Sequence, residues 1–112
     1  MWQKICELAQ LPRHSLTEEV VNDVPVLLIN GELRRLVVPR SCPHMSAALC
    51  EGVFDGHVLT CTKHLWQWSI DDGGTEIGEA ETALLCYETR ESDGELWVRV
   101  EQPLLYDHEL DD

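Results

Sequence analysis

The chain has 112 residues, of which 44% are hydrophobic and 26% charged, and its formal net charge is −13. That length suits one domain with a modest core, and that charge excludes nucleic acid and anionic membrane surfaces as partners. The acidity is uneven: residues 1–70 carry seven acids and six bases, whereas residues 71–112 carry fourteen acids against Arg90 and Arg99 alone.

Residues 3–8 read as a short strand that stops before Leu11-Pro12. Leu16–Val21 and Val24–Ile29 are apolar or β-branched runs separated by the turn pair Asn22-Asp23. Asn30-Gly31 is a two-residue hairpin signal and predicts a return strand over Glu32–Val38, closed by Pro39. Four strands and no helical period in this stretch point to an antiparallel β framework. Ala47-Ala48-Leu49 has room for one helical turn before Gly52. Asp55-Gly56 predicts a tight turn between Val53-Phe54 and His57–Thr60, and Trp66–Ile70 forms the exit strand before the turn Asp71–Gly74. Ala83–Thr89 and Glu95–Val100 read as a last hairpin around Ser92-Asp93-Gly94. From Pro103 we expect a packed segment, and from Asp107 a frayed acidic tail. The fold class is therefore all-β. A base of residues 1–39 plus 71–112 pairs strands from both chain ends, and a smaller subdomain over about residues 40–70 is inserted into it.

The opening Met1–Glu7 lacks a basic region followed by an apolar run, so no signal peptide is expected. No apolar run approaches the ~20 residues of a membrane span. A soluble, cytoplasmic, monomeric protein is the expectation. The five cysteines, at irregular spacing, argue against a disulfide framework and for a reducing compartment.

The stretch from Cys42 to His64 concentrates the chemistry. It offers Cys42 and His44 two residues apart, then Cys61 and His64 three apart. Thiolates and imidazoles together suit a metal that accepts soft and borderline ligands. At Cys-x-His spacing two side chains leave one short loop and diverge, which favours reaching two neighbouring metal ions over chelating one. The second loop repeats the offer. One solution places both cysteines on one iron and both histidines on the other, the ligand set of a [2Fe–2S] cluster in which two His replace two Cys. A structural zinc site uses the same donor types, although the tight Cys-x-His arm suits tetrahedral zinc less well. His14, His57 and His108 read as ordinary polar residues, and Cys6, Cys50 and Cys86 as buried thiols acting as small hydrophobes.

With Cys42-Pro43-His44, the spacer, and Cys61-x-x-His64-Leu65-Trp66 in place, the chain resembles the Rieske ferredoxins, in particular the ferredoxin components of multicomponent toluene and aromatic monooxygenases. The resemblance implies a Rieske fold, one Rieske-type [2Fe–2S] cluster and the ligands Cys42, His44, Cys61 and His64. It also implies an electron carrier and no enzyme in its own right. Its electron would come from an NADH-dependent flavoprotein reductase and pass to the diiron hydroxylase of a toluene-type monooxygenase; the alternative acceptor is an aromatic ring-hydroxylating dioxygenase. Respiratory Rieske proteins add an interloop disulfide and a serine hydroxyl beside the cluster. Ala47, Lys63 and Trp66 stand at those positions, which implies a potential near the low end of the ~−150 to ~+300 mV range of such clusters. Met45, Leu65 and Trp66 are the expected docking residues, or else part of an apolar cover over the sulfides together with Trp68.

Overall fold

The computed structural model describes residues 1–43, 48–62, 65–106 and 109, and the backbone alone at Cys50. Among the described residues ten strands form three antiparallel sheets. β1 (Trp2–Glu7) pairs with β10 (Glu95–Arg99), which pairs with β9 (Glu88–Ser92), so the two ends of the chain share one sheet. The second sheet runs β2 (Ser15–Val21), β3 (Val24–Asn30), β4 (Arg35–Pro39). The third runs β5 (Val53–Phe54), β6 (Val58–Thr60), β7 (Gln67–Ser69), β8 (Thr75–Ile77). Among the described residues no helix is long and apolar enough to cross a membrane.

β3 explains how the layers stack. Strand side chains alternate faces, yet Val26, Leu27, Leu28 and Ile29 are all buried. Val26 and Leu28 enter one apolar cluster with Val37, Tyr87, Leu96 and Val98. Leu27 and Ile29 enter another with Leu36, Val38, Leu59, Trp68 and Ile70. The β2–β4 sheet is therefore the middle layer, which is why its sequence reads as an unbroken apolar run without alternation. Each fully buried Leu or Ile there contributes about 1.5–3 kcal/mol.

Two turns that the sequence marks come out differently, the first as expected and the second not. Asn22 and Asp23 have φ of 52° and 63°, as a two-residue primed turn requires. Asn30-Gly31 does not make such a turn. β3 continues through Asn30, β4 starts only at Arg35, and Gly31 N–H donates to the Arg34 carbonyl at 3.0 Å. The glycine is needed for close approach, because a Cβ on Gly31 would lie 3.1 Å from the Gly56 carbonyl. Glu32 N–H donates to that same carbonyl at 2.8 Å, so this wider turn docks on the β5–β6 turn.

The segment expected as a strand over Ala83–Thr89 is also displaced, with β9 beginning at Glu88. Residues 83–87 serve several partners: Leu84 N–H donates to Gly74, Tyr87 N–H to Val37, and Leu85 N–H to the Tyr106 hydroxyl. Three single links to three places leave no ladder. β8 was unexpected, since Thr75-Glu76-Ile77 carries one apolar residue and sits at a sheet edge. The expected helical turn at Ala47–Leu49 is found as a 3₁₀ turn over Leu49–Glu51, with Ala48 extended and Ala47 outside the described residues.

Candidate metal centre

Two loops lead off the third sheet and its approach. The first leaves β4 at Arg40. Ser41 bridges back to Ala48, and Leu49 N–H donates to the Arg40 carbonyl at 2.9 Å, so the loop is pinched at its neck. Cys42 lies just inside that neck and is 0% exposed. The second loop joins β6 to β7, whose last pair is Thr60 opposite Gln67. Cys61 is its anchor: the Cys61 N–H donates to the Trp66 carbonyl and the Leu65 N–H to the Cys61 carbonyl, both at 2.8 Å. Cys61 is 5% exposed.

Both thiols belong to one apolar cluster with Leu49, Leu59 and Trp68, and Trp66 packs against it. Trp68 is fully buried, its indole N–H donates to the Thr82 carbonyl at 2.8 Å, and its ring meets Trp66 edge-on with centroids 6.4 Å apart. Sulfur donors in an apolar wall suit a soft, thiolate-bound metal, because burial keeps water off the metal–sulfur bonds. The thiolate half of a four-ligand site thus fits the structure. His44 and His64, the other expected ligands, lie outside the described residues, as do Met45 and Lys63. Among the described residues no group of three or more His, Cys, Asp or Glu is placed to hold a metal.

Leu65 stands between the second loop and solvent. It is 72% exposed and holds φ of 60°, the left-handed region that a leucine adopts only at a cost. Trp66 beside it is only partly exposed.

The chain matches the Rieske [2Fe-2S] domain over residues 1–88. It belongs to that family. Its cofactor is accordingly a Rieske-type [2Fe–2S] cluster, which sets aside zinc as the reading of the same donors. The Rieske chain is 38% identical over 112 residues to the methanesulfonate monooxygenase ferredoxin subunit of Methylosulfonomonas methylovora, covering 99% of this chain and 90% of that one. It is 33% identical over 82 residues to the ferredoxin component of the alkene monooxygenase system of Xanthobacter autotrophicus, covering 72% and 66% of the two chains. Among solved structures, a chain of the complex of reduced oxygenase and oxidized ferredoxin in carbazole 1,9a-dioxygenase superposes with a TM-score of 0.74 at 23% identity, covering 93% of this chain and 97% of that one. The ferredoxin of carbazole 1,9a-dioxygenase from Nocardioides aromaticivorans gives 0.73 at 19% identity, over 87% and 95% of the two chains. Those two likenesses bear on the fold. The relatives in sequence are ferredoxin components of oxygenase systems, and this Rieske ferredoxin is an electron carrier and not a catalyst.

Two expectations about cysteine need correction. Cys86 is exposed, and Cys6 only partly buried. The Cys86 Sγ lies 3.5 Å from the Gly73 carbonyl, and partial desolvation of the thiol pushes its pKa up; burial does the same for Cys6. The side chain of Cys50 lies outside the described residues.

Sequence reasoning also undervalued two histidines. His14 Nε2 lies 2.6 Å from Glu32 Oε1, and His57 Nδ1 lies 2.8 Å from Asp71 Oδ2. Together they bracket the contact between the β3–β4 and β5–β6 turns, with ring centroids 6.5 Å apart. Nothing in their local sequence marks this, because the partners are fourteen or more positions away.

Proposed function

We propose that this Rieske ferredoxin carries one electron from an NADH-dependent flavoprotein reductase to the terminal oxygenase of a monooxygenase system. In the finer reading that acceptor is a toluene-type diiron hydroxylase. Cys42 and Cys61 would hold one iron, and His44 and His64 the other. The observation that carries the reading is the pair of buried thiols, Cys42 and Cys61, sharing one apolar cluster at the pinched necks of two loops. Residues of about 40–70 act as the cluster-binding subdomain of a base formed by 1–39 and 71–112.

When bound, the cluster supplies reversible one-electron chemistry at a potential raised by histidine ligation. The chain's own residues do the rest. Leu49, Leu59 and Trp68 exclude water from the sulfur side. Met45, Leu65 and Trp66 form the docking surface, to which Leu65 brings a large apolar side chain already turned to solvent. The acidic second half of the chain steers encounters toward basic partner faces, an effect that salt weakens. The monooxygenase reading is supported by the names of the two sequence relatives.

The test is reconstitution. Anaerobically loaded protein is expected to show a Rieske-type visible and EPR spectrum on reduction. A purified diiron hydroxylase with its reductase is expected to turn over only when the ferredoxin is added, at a rate that falls as salt rises. A spectrum without iron and acid-labile sulfide would sink the cofactor assignment at these residues. A proper spectrum with no turnover, when other oxygenase classes do turn over, would sink the diiron partner alone.

A further inference from the structure

Two tyrosines grip each other's segments. The Tyr87 hydroxyl accepts the Leu104 N–H at 2.9 Å, and the Tyr106 hydroxyl accepts the Leu85 N–H at 2.9 Å. Each amide lies two residues ahead of the tyrosine in its own segment, so the pattern Leu-x-Tyr occurs in both partners and closes reciprocally. Neither segment belongs to a strand. These two bonds are polar links between the C-terminal segment and residues 85–87, and within that segment the Tyr106 N–H donates to Glu109 Oε1 at 3.0 Å. Both tyrosines are buried, Tyr106 to 3% exposure.

The closure sits beside the first ligand loop. Pro43, the residue after Cys42, lines one hollow with Thr82, Leu85, Leu105 and Tyr106. Burial pushes the Tyr106 pKa up against the lowering effect of the Leu85 N–H. The hollow shared with Pro43 sets the phenol beside the start of the first loop. The family match ends at residue 88, so the half of the pair contributed by Tyr106 lies beyond it.

We propose that Tyr87 and Tyr106 form a clasp that seats the C-terminal segment over the Cys42 side of the first loop, with Tyr106 a positioning residue for the cluster. The inference rests on the cluster being held at Cys42, Cys61, His44 and His64. A hydroxyl that accepts a partly buried amide leaves that donor unsatisfied when it is removed, and the segment then opens more often. Opening admits water to the sulfur side of the site. Water stabilises the charge added on reduction and competes for the iron, so the midpoint potential should rise and iron should leave faster.

The test uses the loaded full chain with Tyr106→Phe, Tyr87→Phe and the double variant. Both single variants are expected to release iron to a chelator about fivefold faster than wild type. They are expected to show a higher midpoint potential, and the double variant to add little, since either hydroxyl breaks the same closure. Melting temperatures that fall while potential and iron release stay at wild-type values would overturn the proposal and leave the tyrosines as fold elements only. Should one variant fail to fold, the other breaks the same clasp from its opposite side. Amide exchange in the wild type gives an independent reading: Leu85 and Leu104 should exchange at matched rates, and unrelated rates would also overturn the clasp. Loaded wild-type protein without a cluster spectrum would overturn the functional reading beneath it, a failure visible before any variant is made.

Discussion

The two faces of the middle sheet support very different neighbours. On one face Val26, Leu28 and Val37 meet Leu96, Val98 and Val100, hydrocarbon against hydrocarbon, under strands of five to seven residues. On the other, Leu27, Ile29 and Val38 meet a sheet whose strands have two or three residues each, and whose apolar cluster includes two cysteine thiols. The first face has the strand length and apolar area to be stable by itself. The second is short of both, and metal binding that needs the folded site adds to its folding free energy. The same β3 backbone thus supports a core that needs no cofactor and, on the proposed function, a core partly organised around one.

The largest effect that would sharpen this contrast comes from the proposed ligands. Cys42→Ser and Cys61→Ser are each expected to abolish the cluster, seen as loss of the visible and EPR signals and of stoichiometric iron. Amide protection should disappear from β5–β8 and persist in β1, β9 and β10. Loss of protection across all three sheets would mean that the two faces are one cooperative unit.

Next come matched truncations on either face. Leu59 and Leu96 are both fully buried, one in each cluster. Leu59→Ala and Leu96→Ala should each cost about 2–5 kcal/mol by denaturant melts of the loaded protein. Only Leu59→Ala should also hasten iron release, since Leu59 shares its cluster with Cys42 and Cys61. Equal acceleration by both variants would break the comparison.

The contrast also governs what could be read from the sequence. Long strands in one hydrocarbon core announce themselves by composition, and β1, β2, β3 and β10 fall within a residue or so of their expected bounds. The family was equally legible, because metal chemistry restricts residue types at fixed offsets, and Cys42-x-His44 with Cys61-x-x-His64 pointed to it. What escaped was set by distant contacts. Gly31 reads as a hairpin residue but is consumed by the approach to Gly56. Ala83–Tyr87 reads as a strand but spends its amides on Gly74, Tyr106 and Val37. The reciprocal Leu-x-Tyr pair was visible as letters, yet only the fold brings Leu85 against Tyr106.

A smaller effect probes the seam between the faces. Gly56 has φ of 102°, and a Cβ there would lie 2.6 Å from Nε2 of His14. Gly56→Ala faces both an unfavourable backbone and a displaced imidazole, and should cost about 1–3 kcal/mol. His14→Ala removes the obstructing ring but not the backbone penalty. The double variant should therefore be more stable than the sum of the single effects implies, whereas strict additivity would mean that the ring gives way freely.

The smallest effect at neutral pH separates the regions by the direction in which pH acts. In the third sheet, the Asp55 carboxylate accepts the Val58 and His57 N–H groups, and these hold its pKa below the ordinary 3.8. A lowered folded pKa contributes stability that is present above the unfolded value and is lost as pH falls through the folded one. At the clasp the sign reverses. Burial raises Tyr87 and Tyr106 above the ordinary 10.0, so the folded chain keeps protons that the unfolded chain gives up. Their contribution is complete below the unfolded value and drains away as pH climbs from there toward the folded pKa values. Melting followed across the alkaline range should fall above about pH 10, and Tyr87→Phe with Tyr106→Phe should flatten that fall while starting from a lower plateau. Asp55→Asn should leave the alkaline limb unchanged and flatten the acid one. An alkaline limb that persists in the double phenylalanine variant would place the sensitive groups outside the clasp.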